Sequence, residues 1–84
     1  MKEITINCAG MTQPAELFAL LSKNLELGDP HMDSLDQLYE QLIAISHETY
    51  VTIFGLDTLE FAESFRNTLM DAETDNFWLN ISIA

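Results

Sequence analysis

Acidic side chains cluster in the segment from Leu25 to Leu42. Its sequence, LELGDPHMDSLDQLYEQL, places acids at positions 26, 29, 33, 36 and 40. No lysine or arginine occurs between Lys23 and Arg66. Carboxylates without intervening cations present a negative surface, which attracts a positively charged partner. The segment therefore indicates binding to a basic surface.

Some of these carboxylates also have a purely structural explanation. Asp33 and Asp36 lie at the predicted start of a helix, where a negative charge gains about 0.3 to 1 kcal/mol from the helix dipole. Glu40 differs, because it lies four residues after Asp36 on the same helix face, where like charges cost about 0.2 to 0.5 kcal/mol. A pair that opposes its own helix is more easily explained as a binding feature.

The same segment lacks the chemistry of a metal site or an enzyme. Asp29, Asp33 and Glu40 fall at positions 1, 5 and 12 of a calcium-binding EF-hand loop. However, His31 stands where position 3 requires an oxygen ligand, and Ser34 stands where position 6 requires glycine. No cysteine or histidine lies in a nucleophile motif, and the chain has no glycine-rich phosphate loop. We therefore predict no metal, no cofactor and no enzyme activity.

Composition narrows the class of partner. The 84 residues include 14 acids and 3 bases, which gives a net charge of -11. This charge repels the phosphates of nucleic acids and the surface of an anionic membrane. A hydrophobic content of 48% argues against disorder, and the length fits one domain over residues 1–84. A basic protein is the complementary partner.

Cysteine usage and the N-terminus predict the compartment. Cys8 is the only cysteine, so no internal disulfide can form. The opening residues MKEITIN lack the apolar core of a signal peptide, and no run reaches the roughly 18 apolar residues of a membrane span. We expect a cytoplasmic protein that is monomeric when free.

Hydrophobic periodicity predicts an alternation of strands and helices that must position the acids. The predicted elements are a strand over 2–7, a helix with its apolar stripe over 17–25, a helix from 34, a strand over 50–54, a helix starting near 57, and a strand over 77–83. Strands separated by helical crossovers normally run parallel. We therefore predict an α/β fold with a three-stranded parallel sheet packed with three to four helices.

Local signals refine several of these elements. Ser34 and Gln37 form a capping-box pattern at the start of the second helix. The strand from Tyr50 to Phe54 is apolar enough to be buried on both faces. In the last strand, Phe77, Leu79, Ile81 and Ile83 are predicted to face one way, and Trp78, on the opposite side, is predicted to pack beneath a helix.

The segment from Ser34 to Leu42, SLDQLYEQL, resembles the binding helix of barstar-like ribonuclease inhibitors, which reads N-L-D-A-L-W-D-x-L. The resemblance implies a two-layer α/β fold and an intracellular inhibitor that blocks the active site of a basic, secreted ribonuclease. It implies that Asp36 and Glu40 are the two acids of the binding helix, that Tyr39 is its aromatic residue, and that Ser34 replaces its asparagine.

The chain departs from that family in the loop before the helix and in the last helix. Pro30, His31 and Met32 stand where the family has two aromatics and a glycine, and the late-helix acid falls near an asparagine, with Glu63 or Asp71 as substitutes. The predicted partner-binding residues are Asp36, Glu40, Tyr39, Ser34, Asp33, Asp29 and His31. A second interpretation is a small acidic module that binds a basic protein surface without inhibiting an enzyme, and the sequence does not separate the two.

Overall fold

A computed structural model describes residues 2–28 and 31–84 of the chain. Its elements are β1 (Lys2–Asn7), α1 (Pro14–Leu25), α2 (Leu35–Ile43), β2 (Thr49–Phe54), a 3-10 turn (Leu56–Thr58), α3 (Ala62–Asp75) and β3 (Leu79–Ile83). The three strands are all parallel, and β2 lies between β1 and β3. The predicted α/β fold with a three-stranded parallel sheet is confirmed.

The helices cover one face of this sheet, so the fold has two layers. Burial alternates along the strands, as expected for side chains that point to opposite faces. The covered face contributes Ile6, Val51, Ile53, Leu79 and Ile81 to the core, and the helices contribute Leu17, Leu21, Leu38, Leu42, Phe65 and Leu69. None of the helices described within residues 2–28 and 31–84 is long and apolar enough to cross a bilayer.

The prediction that β2 is buried on both faces is wrong. Tyr50 is 40% exposed and Phe54 is 44% exposed, whereas Val51 and Ile53 are buried. The reason is the layer arrangement: the helices cover only the face on which Val51 and Ile53 lie. The opposite face of β2 is therefore open to solvent.

The predicted start of the last strand at Phe77 and the predicted packing of Trp78 are also wrong. The last strand begins at Leu79, and Phe77, at 89% exposure, lies in the turn before it. Trp78 is 43% exposed, so it does not pack beneath a helix. Because Leu79 faces the core and strand side chains alternate, Trp78 is directed to the open face of the sheet.

The start of α2 follows the predicted capping pattern, with one difference. The Ser34 hydroxyl accepts a hydrogen bond from the Gln37 N–H at 3.2 Å. The Gln37 side chain accepts a hydrogen bond from the Asp33 N–H at 2.9 Å, whereas a capping box would direct it to Ser34. Both bonds satisfy backbone donors at or just before the helix start, which fixes where α2 begins.

The third helix begins at Ala62, later than the predicted start near Asp57. A 3-10 turn at Leu56–Thr58 intervenes, and buried Leu56 and Leu59 hold it against the core. The turn follows Gly55, whose φ of 83° is favourable only for glycine and whose absent Cβ would lie 2.7 Å from the Ala9 Cβ. The chain therefore leaves β2 through a turn that a longer side chain at position 55 would disrupt.

Candidate functional site

The two acids predicted to bind a partner lie on the solvent side of α2. Asp36 and Glu40 are exposed and are one helical turn apart. Leu38 and Leu42, on the other side of the helix, are fully buried. The core thus fixes the rotation of α2, and both carboxylates are held toward solvent on a rigid element.

Tyr39 links α2 to the C-terminal end of α3. Its hydroxyl donates a hydrogen bond to Oδ2 of Asp75. The charge of Asp71, one turn earlier on α3, also acts on this hydroxyl. We call Asp36 and Glu40 on α2, together with Asp71 and Asp75 on α3, the acidic helix face; of these acids, Asp75 and Asp71 act on Tyr39.

This arrangement bears on which acid of the last helix accompanies α2. The sequence left Glu63 and Asp71 as alternatives, and Asp71 is the one whose charge reaches Tyr39. Asp75 was missed by the sequence analysis, although its spacing of four residues from Asp71 places both on one side of α3. The core side chains Phe65 and Leu69 set which side of α3 faces solvent.

The hydrogen bond to Asp75 is the main reason that the pKa of Tyr39 is raised. Partial loss of hydration and the negative charges of Asp75 and Asp71 raise the pKa further. The same effects act on Tyr50, whose pKa is raised by a hydrogen bond to Glu48, by the charge of Glu48, by partial loss of hydration and by the charge of Glu3. Both hydroxyls therefore stay protonated at neutral pH.

We predict that both tyrosines of the native chain ionise above the ordinary tyrosine pKa of about 10. A raised pKa means that the fold favours the protonated hydroxyl, so this contribution to stability is fully present below pH about 10 and is lost as pH rises through the folded pKa. Alkaline titration followed by tyrosinate absorbance measures both pKa values.

Asp75→Asn should lower the pKa of Tyr39 and leave the pKa of Tyr50 unchanged. Glu60→Gln is the charge-matched control. Two tyrosines that ionise at their ordinary pKa would contradict the assignment.

Two of the basic side chains are paired with acids outside the acidic helix face. Lys2 forms an ion pair with Glu26 at 3.1 Å, and Arg66 pairs with Asp57. Glu26 belongs to the acidic segment from Leu25 to Leu42, and its charge is therefore partly neutralised by Lys2. Exposed pairs of this kind add little stability. Because Lys2 and Arg66 pair with other acids, neither of them neutralises the acidic helix face.

Three of the remaining predicted site residues, His31, Asp33 and Ser34, lie just before the start of α2. Asp33 and His31 are exposed, while Ser34 is half-buried and uses its hydroxyl as the helix cap. Asp29 lies outside the described residues. Met32, which lies between His31 and Asp33, is only 5% exposed. Its side chain therefore packs on the core and is not available to a partner.

The described residues offer no metal centre next to these acids. Across residues 2–28 and 31–84, no group of three or more histidine, cysteine, aspartate and glutamate side chains is arranged to share a metal ion. Cys8 is buried in the core, where burial raises the pKa of its thiol, and its sulfur donates to the Phe54 carbonyl at 3.4 Å. A protonated, buried thiol is a poor nucleophile.

No protein-family model and no curated protein matches this chain. The resemblance to barstar-like inhibitors therefore stays a prediction.

Proposed function

We propose that this protein acts in the cytoplasm as an inhibitor of a basic ribonuclease, whose active site it blocks with the acidic helix face. The proposal rests on the packing of α2 against α3, which Tyr39 and Asp75 join, and on the exposure of four acids on these two helices: Asp36, Glu40, Asp71 and Asp75. An acidic patch built from two helices covers more of a cationic cleft than a single helix does.

Phosphate mimicry supplies the physical logic. A ribonuclease holds RNA phosphates with arginine, lysine and histidine side chains, and carboxylates at matching spacing can occupy the same subsites. Since α2 and α3 are packed on the core and joined by the bond from Tyr39 to Asp75, little conformational freedom is lost on binding. Long-range attraction between opposite charges also speeds association.

A second candidate function is an acidic module that binds a basic protein without inhibiting it. The burial of Met32 favours this alternative. The inhibitor family presents contact residues just before the binding helix, whereas Met32, at one of these positions, is buried in the core. A partner would then be held by the acidic helix face with few contacts from the loop.

Barnase is a suitable probe of the proposal, and an acidic ribonuclease is the matched control. We expect stoichiometric suppression of RNA hydrolysis by barnase, no effect on the acidic enzyme, and no RNA hydrolysis by this protein alone. The association rate should fall steeply as salt rises, because added salt screens the attraction between the two proteins. The Debye length is about 8 Å near physiological ionic strength. Stopped-flow association and an RNA cleavage assay provide the two measurements.

The outcomes separate the candidates. Binding to barnase without loss of its activity would favour the non-inhibitory module. An association rate that does not change with salt would count against the acidic helix face as the binding surface. RNA hydrolysis by the isolated protein that disappears in Asp36→Asn would overturn both candidates, because Asp36 would then be catalytic.

A further inference from the structure

The open face of the sheet carries a concave site lined by aromatic side chains. Its volume is about 280 Å³, and its lining consists of Glu48, Tyr50, Phe77, Trp78 and Asn80, which we call the aromatic pocket. Phe77 and Trp78 meet edge to face, with ring centroids 5.4 Å apart and planes at 82°. Parallel sheets are normally covered on both faces, so aromatic rings exposed on an open parallel face require an explanation.

The turn that carries Phe77 and Trp78 is rigidly held. The Asn76 side chain donates hydrogen bonds to the carbonyls of Leu42 and Ile45, at 2.8 and 2.9 Å, and accepts one from the Trp78 N–H at 2.9 Å. Asn76 itself is only 5% exposed. In addition, the Trp78 carbonyl accepts the Thr49 N–H at 2.9 Å, which joins the turn to β2. The aromatic rings are therefore presented on a fixed backbone.

The rim of the aromatic pocket is negatively charged. Glu48 and Tyr50 both line the pocket, and the carboxylates of Glu48 and Glu3 contribute to the raised pKa of the Tyr50 hydroxyl. Glu3 is the register partner of Tyr50 on β1, and Asn80 is its partner on β3. None of the residues that line the pocket is basic. A ligand must therefore be compatible with aromatic faces and with a carboxylate at once.

We propose that the aromatic pocket binds one arginine side chain of a partner protein, with the guanidinium stacked on Trp78 and paired with Glu48. Arginine fits both features, because its planar cation stacks on aromatic faces and its N–H groups match a carboxylate. A nucleic-acid strand also stacks on aromatic rings, but its phosphates are repelled by Glu3, Glu48 and the net charge of -11. A second copy of the chain carries the same repelling charge.

This inference does not rest on the proposed function, because the two surfaces lie on opposite sides of the sheet. The helices that carry the acidic helix face cover the buried face of the sheet, whereas the aromatic pocket opens from the uncovered face. A ribonuclease inhibitor and a non-inhibitory module could each contain this pocket.

Trp78 is the only tryptophan in the chain, so intrinsic fluorescence reports on the pocket directly. The probe is a blocked tripeptide with arginine at its centre, and the control peptide carries neutral citrulline in the same place. We expect a saturable fluorescence change with the arginine peptide only. Phe77→Ala should weaken binding about fivefold, and Glu48→Gln about tenfold. Phe54→Ala is the matched control, because Phe54 lies on the same open face about 13 Å further along β2 than Tyr50, and it should have no effect.

Three results would overturn the proposal. Equal fluorescence changes with the arginine and citrulline peptides would show that charge plays no part. Loss of the arginine response in Glu40→Gln would show that the peptide binds the acidic helix face. Sedimentation that reveals a dimer dissociated by Phe77→Ala would assign the pocket to a second copy of this chain.

Discussion

Replacing Asp36 or Glu40 with alanine is expected to weaken the complex with a basic partner by about 2 to 5 kcal/mol. The loss is large because the partner's cations would be left buried and unpaired at the interface. Both carboxylates are exposed in the free protein, so their contribution to binding is separate from the stability of the fold. Dissociation constants for the two variants, measured at one fixed salt concentration, test the prediction.

The same substitutions should have small effects on folding. Glu40→Ala relieves repulsion from Asp36, so the free energy of unfolding should stay equal or rise by about a few tenths of a kcal/mol. Asp36→Ala also removes a favourable charge from the first turn of α2, which costs about 0.3 to 1 kcal/mol. Urea midpoints measured on the same samples provide the comparison.

Glu60→Ala is the control, because it removes one exposed negative charge outside the acidic helix face. It should change neither affinity nor stability beyond about 0.5 kcal/mol. If stability falls in Asp36→Ala and Glu40→Ala while affinity holds, the two acids are structural and the binding surface lies elsewhere.

Asn76→Leu is expected to lower the free energy of unfolding by about 2 to 4 kcal/mol. Leucine has a similar shape but no polar atoms, so the Ile45 carbonyl and the Trp78 N–H would lose their hydrogen-bond partners. The bond to the Leu42 carbonyl would be lost as well, although the Ile45 N–H still donates to that oxygen at 3.3 Å. Unpaired polar groups near a core each cost about 1 to 3 kcal/mol.

Urea unfolding followed by far-ultraviolet circular dichroism measures this loss, and Trp78 fluorescence reports separately on the turn. Asn80→Ala is the matched control, because Asn80 is an exposed asparagine on β3. Its effect should stay within about 0.5 kcal/mol. A loss below about 1 kcal/mol in Asn76→Leu would mean that water replaces the lost hydrogen bonds and that Asn76 does not hold the turn.

Glu73 shows how an acid can have a role that periodicity does not indicate. Its carboxylate accepts a hydrogen bond from the Ile81 N–H on β3, which is an edge strand. An unpaired edge is a template for association with another chain, and covering its donors reduces that risk. The sequence identifies Glu73 only as one more charge on α3, because the contact depends on how α3 crosses β3.

The start of α2 and the end of β2 were predictable because their signals are local. Ser34 and Gln37, which lie within one helical turn, define the start of α2, and Gly55 marks the end of β2. The start of α3 was misplaced because Asp57 and Glu60 have the composition of a helix start, while burial of Leu56 and Leu59 selects a 3-10 turn. A local signal was outweighed there by packing.

Hydrophobic periodicity was sufficient to predict an α/β fold with a parallel sheet and to place Asp36 and Glu40 on one face of a helix. These features depend on periodicity and on residues within one or two helical turns. Two further contacts depend on long-range packing, which these local signals do not report. Asp75 meets Tyr39 from 36 residues away, and Asn76 holds the turn before β3 through carbonyls 31 and 34 residues earlier. Tertiary packing also places Phe77 in an exposed turn before β3, and it exposes Trp78 because the helices cover only the opposite face of the sheet.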